Sequence, residues 1–181
     1  RARGYDIKPF TSPQAFLADH DASMPGCAVL DVSMPGLDGL ELQQVLTAGG
    51  SQRPVIFLTG KGDIPTSVRA MRAGAIDFLT KPVNDADLLA AIARAEKEDA
   101  STRRADAAFD QINARFAILT PREREVMTHV VAGRLNKQIA GDLGTVEKTI
   151  KVHRGRVMEK LGVRSVADLV RLAEKAGISP A

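Results

Sequence analysis

Three short apolar runs in the first half of the chain, at residues 27–32, 54–59 and 75–80, set the tightest limit on what it can fold into. They are rich in Val, Ile, Leu and Phe, they do not alternate apolar with polar, and each ends in turn-forming residues. That is the pattern of strands buried on both faces of a parallel sheet. Helical spacing fills the intervals. Leu37, Leu40, Leu42, Val45 and Leu46 form one apolar stripe, Val68, Met71 and Ala75 a second, and Leu88, Leu89, Ile92 and Ala95 a third. Alternating strands and helices predict an α/β unit. A weaker strand at 5–10, followed by a helix at 12–18, adds one more unit at the start. The chain opens on Arg1 in what reads as the end of a helix, so the expectation is that further sequence precedes it.

The pattern changes in the second half. Residues 93–116 are mostly Ala, Arg, Glu, Asp and Gln, which predicts an exposed linker helix. The expected division is an α/β domain at 1–98, a helical linker at 99–116 and an all-α domain at 117–181. Thr120, Pro121 and Glu123 spell a capping box with proline at the first helical position, and Gly133 is the stop. Asn136 is positioned to cap a short helix through Leu143. Gly144 and Thr145 make a tight turn into a longer helix ending near Leu161, and Ser165 with Asp168 opens the last helix.

Composition narrows the function classes. At 181 residues, with 44% hydrophobic and 26% charged residues, the chain is neither disordered nor fibrous. No apolar run approaches the roughly 18 residues of a membrane-spanning helix, and no charged-then-apolar start reads as a signal peptide. A cytoplasmic protein with no membrane partner is expected. The single cysteine, Cys27, forms no internal disulfide, and no histidine or cysteine cluster has zinc-ligand spacing. Residues 1–98 hold 10 Lys and Arg against 12 Asp and Glu, while residues 99–181 hold 15 against 10. A basic second half suits a polyanionic partner.

Asp31 and Thr59 fall at the carboxyl ends of the first two runs, and Lys81 lies just past the third. Ligands of an open parallel sheet bind outside the carboxyl ends of its strands, so these side chains are expected in one crevice. A carboxylate there can attack a phosphoryl donor, while a hydroxyl and an ammonium hold the phosphoryl oxygens. Such a transfer calls for a hard divalent cation, normally Mg2+, with the Asp31 carboxylate and the Ser33 backbone carbonyl as candidate donors.

The stretch from Val29-Leu30-Asp31 through Ser33-Met34-Pro35-Gly36 to Asp38-Gly39, then Phe57-Leu58-Thr59-Gly60, then Asp77-Phe78-Leu79-Thr80-Lys81-Pro82, resembles the receiver domain of bacterial two-component response regulators. The resemblance implies a flavodoxin-like sheet with Asp31 as phosphoacceptor. It makes Thr59 and Phe78 the pair that reorients on phosphorylation, Lys81 the phosphoryl partner, and the Lys81–Pro82 bond cis. Receivers also carry an acidic pair at the end of their first strand that completes the Mg2+ site. The sequence before Tyr5 is too short to hold that strand and helix, so the implied receiver is incomplete at its N-terminus.

Turning the longer helix at about 100° per residue puts Val146, Ile150, Val157 and Leu161 on one stripe, which must face the core. Lys148, Lys151, Val152 and Gly155 fall opposite, with Thr149 and Arg156 beside them. Lysine and arginine suit phosphates or guanine edges, valine suits a thymine methyl, and glycine allows close approach, so the stripe fits a major groove. His153 flanks the core stripe. The short helix and turn before it complete a helix-turn-helix.

From Leu119-Thr120-Pro121-Arg122-Glu123 through Asn136-Lys137-Gln138-Ile139-Ala140 to Lys148-Thr149-Ile150-Lys151-Val152-His153 and Lys160-Leu161-Gly162-Val163-Arg164-Ser165, the second half resembles the LuxR-type DNA-binding domain. It implies DNA contacts from Lys137, Lys148, Thr149, Lys151, Val152, His153 and Arg156. The family often has Ser where Val146 stands, and Thr145 is the expected substitute cap.

Receiver plus LuxR-type domain resembles the NarL/FixJ class of transcriptional regulators, in its FixJ-like branch. The expected protein is not an enzyme. A sensor histidine kinase phosphorylates Asp31, a homodimer forms, double-stranded DNA is bound, and RNA polymerase is a further partner. Two alternatives stand beside this: a DNA-binding regulator whose receiver takes no phosphate, and a phosphohydrolase using Asp31 as nucleophile. The second wants a carboxylate two residues on, where the chain has Ser33.

Overall fold

The computed structural model describes residues 4–60 and 64–178, which divide into two compact units, Arg1–Arg103 and Arg104–Ala181. The expectation about Arg1 falls on residues outside the described ones. In chain order the first unit holds α1 (Pro13–Asp19), β1 (Ala28–Asp31), α2 (Gly39–Ala48), β2 (Val55–Thr59), α3 (Ile64–Arg72) and β3 (Asp77–Thr80). The long helix α4 (Asp85–Ala117) follows.

The three strands form a parallel sheet in the order β1-β2-β3. The central strand explains its own composition. Val55 and Phe57 point into a cluster with Leu40, Leu42 and Leu46 of α2 and Ala70 of α3, while Ile56 points the other way onto Ala91 and Ala95 of α4. Both faces of β2 are thus dry, and an alternating sequence could not have filled them. The register runs Asp31 opposite Leu58 and Thr59 opposite Thr80, which brings the carboxyl ends of the strands to one edge.

Two expectations for this unit change. Residues 5–10 form no strand: they make no ladder, Ile7 is exposed, and Pro9 has no amide to donate. The segment is held instead by a Lys8–Asp19 ion pair and by Phe10 against the edge of Phe16. In the helical stripes, Val45 of α2 and Val68 and Met71 of α3 face solvent, whereas Ala70 of α3 faces the core. A small residue lets the helix lie close on the sheet, whereas a stripe chosen by hydrophobicity alone points to its larger neighbours.

Before β1, the loop at 20–26 is tied down by buried polar groups. Asp99 accepts hydrogen bonds from the Gly26 amide and from Arg103 Nε, and the Arg103 guanidinium donates to the carbonyls of Ala22, Ser23 and Met24. Asp99 is therefore a packed residue of this unit, and Phe116, near the end of the same helix, is buried in the core of the second.

The second unit adds α5 (Pro121–Val131), α6 (Asn136–Asp142), α7 (Glu147–Lys160) and α8 (Val166–Lys175) around Val126, Met127, Ile139, Ile150, Val157, Leu161 and Leu169. The Thr120 capping box forms, as does the Ser165 cap. Gly144, at φ +60°, supplies the left-handed residue of the turn into α7.

Three local expectations are corrected. Asn136 is the first residue of α6 rather than its cap; the cap is Leu135, whose amide donates to Gln138 Oε1 at 2.8 Å. Thr145 does not cap α7; the N-cap is Val146, which offers no side-chain cap. Val146 leaves the core stripe and stands 64% exposed, because its backbone is extended (φ −104°, ψ 153°) and the helical turn angle does not yet apply.

Candidate functional site

At the carboxyl edge of the sheet, Lys81 Nζ donates to Asp31 Oδ2 at 2.5 Å, and the Ser33 amide donates to Asp31 Oδ1 at 3.0 Å. Parallel pairing builds this corner. The Val32 amide donates to the Leu58 carbonyl and the Lys81 amide to the Thr59 carbonyl, so each residue just past its strand is tied to the neighbouring strand. The Lys81–Pro82 bond is cis. Lys81 beside it holds the Asp31 carboxyl below the usual carboxylate range, with help from the Ser33 amide and against partial burial. About a third of the Asp31 side chain remains accessible, enough for a reagent to reach it. Thr59 is buried at the end of β2, and Phe78 of β3 is half-buried with its ring 6.3 Å from that of Phe57.

Gly39 is a residue of this corner that periodicity does not single out. A Cβ built on it would lie 2.4 Å from the Asp31 carbonyl oxygen and 3.1 Å from the Phe57 ring. Its amide donates to the Val32 carbonyl, and Asp38 before it closes the capping box of α2. Only a residue without a side chain lets α2 start against the strand that carries Asp31. The signal lay in a glycine at the first position of an apolar helix.

Among the described residues no three His, Cys, Asp or Glu side chains cluster as metal ligands. The Asp31 carboxylate and the Ser33 carbonyl are two oxygens of the roughly six that Mg2+ takes, so these residues supply only part of such a site.

In the second unit, α7 exposes Lys148, Lys151, Val152, Gly155 and Arg156, while Thr149 and His153 are half-buried. Lys137 of α6 is exposed as well. His153 Nδ1 is buried without a hydrogen-bond partner. The side chain that joins the two helices is Arg154, which donates to Asn136 Oδ1 at 2.6 Å. Spacing gave no sign of this bond. Behind the helices, Lys160 near the end of α7 donates to buried Glu123 of α5 at 2.6 Å. That bond, and the Thr120 amide beside it, hold the Glu123 carboxyl down to about 2. No helix among the described residues is long and apolar enough to cross a membrane.

Known proteins share this organisation. Residues 1–93 match the family described as response regulator receiver domain, and residues 117–173 match bacterial regulatory proteins, luxR family. Nodulation protein W of Bradyrhizobium diazoefficiens is 44% identical over 179 residues, covering 99% of this chain and 79% of that protein. The transcriptional regulatory protein FixJ of Azorhizobium caulinodans is 44% identical over 181 residues, covering 98% and 84%. The solved structure of response regulator StyR superposes with a TM-score of 0.82 at 46% identity, covering 96% of this chain and 87% of that one.

Proposed function

The chain belongs to the two-component response regulators, a receiver domain joined to a LuxR-type DNA-binding domain in a phosphorylation-regulated transcriptional regulator, and on that premise we propose that Asp31 is its phosphoacceptor and α7 its DNA-reading helix. The observation that carries the first part is the Lys81–Asp31 contact at 2.5 Å on a partly accessible carboxylate. An Asp31 oxygen attacks the phosphorus of a kinase phosphohistidine, the P–N bond breaks, the imidazole leaves with the electron pair, and an aspartyl phosphate forms. Lys81 then pairs with a phosphoryl oxygen, the Thr59 hydroxyl turns toward another, and the Phe78 ring follows it inward. The Phe78 ring that would make this move is half-buried and lies 6.3 Å from the Phe57 ring.

Receiver domains use Mg2+ for phosphorylation. The Asp31 carboxylate and the Ser33 carbonyl would supply part of its shell here, and the alternative is a regulator whose receiver takes no phosphate. Acetyl phosphate with Mg2+, read by intact mass beside an Asp31→Asn control, decides between the two. Uptake of one phosphoryl group lost in the control supports the switch; no uptake makes the receiver an interaction module.

On the DNA side, Lys148, Lys151 and Arg156 meet phosphates or guanine edges, Val152 a thymine methyl, and Lys137, Thr149 and His153 flank them. The domain boundaries we propose are 1–98, 99–116 and 117–181. A cytoplasmic homodimer acting with a sensor histidine kinase and RNA polymerase completes the reading, the two-fold of the dimer matching two half-sites.

A further inference from the structure

Among the helices whose starts lie within the described residues, N-termini follow one rule with two exceptions. Helices α1, α2, α5 and α8 begin on Ser12, Asp38, Thr120 and Ser165, whose side chains accept a backbone amide, and Asn84 does the same for the Ala86 amide at the start of α4. The exceptions are α6 and α7, which begin on Leu135 and Val146 with no side-chain cap. Leu135 and Val146 are also the most exposed large hydrophobic residues of the second unit, at 68% and 64%.

Val146 therefore gives up a cap and stays mostly exposed. An isolated exposed valine would need no explanation. One standing where the neighbouring helices use a hydroxyl or carboxylate points to a contact outside the molecule. The same helix displays Lys148, Lys151 and Arg156 with Val152 among them, a surface of the right charge for duplex DNA. The first residues of a helix in the major groove meet base edges, and the base-edge group that accepts an aliphatic side chain is the thymine methyl.

We propose that Val146 is a base-reading residue that packs on a thymine methyl group, and that the absent cap is stability exchanged for sequence specificity. This rests on the DNA-binding reading of α7. The test uses the full chain and a duplex selected by it from a random library, with each thymine replaced in turn by deoxyuridine, which removes the methyl alone. The parent protein is expected to lose about fourfold in affinity at one thymine of each half-site, the worth of one buried methyl at about 1.4 kcal/mol per tenfold.

Val146→Ser is expected to bind the selected duplex less tightly, to ignore the methyl at that position, and to melt at a higher temperature because a cap is restored. Val146→Ala is expected to lose the methyl preference without the rise in melting temperature. Salt-dependent DNA binding with the same thymine preference in parent and Val146→Ser overturns this proposal alone. No salt-dependent binding to any duplex overturns the DNA-binding reading with it.

Discussion

Replacing Glu123 by Gln removes a charge from the base of the helix-turn-helix while keeping its shape. Glu123 is 3% exposed; its Oε2 accepts from Lys160 Nζ at 2.6 Å and from the Thr120 amide at 2.9 Å. These bonds lower its carboxyl from 4.5 to about 2. A carboxyl depressed in the folded state stabilises fully above its unfolded value and loses that contribution as pH falls toward the folded one, here from pH 4.5 to about 2. The whole shift corresponds to at most about 3 kcal/mol, and because Lys160 is one-third exposed, screening leaves about 1–2 kcal/mol at pH 7. For a unit of this size that is a fall of about 4–8 °C in melting temperature per kcal/mol.

The chain has no Trp and one Tyr, so amide hydrogen exchange at buried Val126 and Met127 is the sharper assay. At pH 7 the Glu123→Gln chain should exchange roughly 5- to 30-fold faster there, and the two proteins should converge as pH falls below 4.5. Equal protection at pH 7, or a gap that persists unchanged in acid, would mean that the charge on Glu123 does not stabilise this domain.

Other substitutions test the receiver corner and the basic helix. Gly39→Ala forces a Cβ against the Asp31 carbonyl and should cost about 1–3 kcal/mol by chemical denaturation, with reduced phosphate uptake. Lys81→Met removes the group that lowers the Asp31 carboxyl, so a carbon-detected NMR titration should find Asp31 ionising at higher pH than in the parent. Lys151→Ala should weaken binding to all duplexes alike and reduce the salt dependence by about one phosphate contact, measured by fluorescence anisotropy from low to moderate salt.

The parallel sheet was legible because β2 is buried on both faces and its sequence says so without alternation. The meeting of Asp31 and Lys81 was legible for a related reason: strand ends in a parallel sheet share an edge, so residues 50 apart in sequence come together without any long-range information. What failed was local. A strand at 5–10 needs a neighbour to pair with, which composition cannot supply, and the segment settles on α1 instead. Val146 and Asn136 were misassigned by one position at helix starts, where a single extended residue decides whether the turn angle applies. The Arg154–Asn136 and Glu123–Lys160 bonds join helices whose relative placement is set by packing, so nothing in the spacing of either residue announced its partner.

Phosphate on Asp31 should govern DNA binding by the second domain. The most direct measurement is the affinity of the full chain for a selected duplex, by fluorescence anisotropy in Mg2+, with and without acetyl phosphate, beside Asp31→Asn. The phosphodonor should tighten binding of the parent and leave Asp31→Asn unchanged. An affinity indifferent to the donor, or a response that survives in Asp31→Asn, would contradict it.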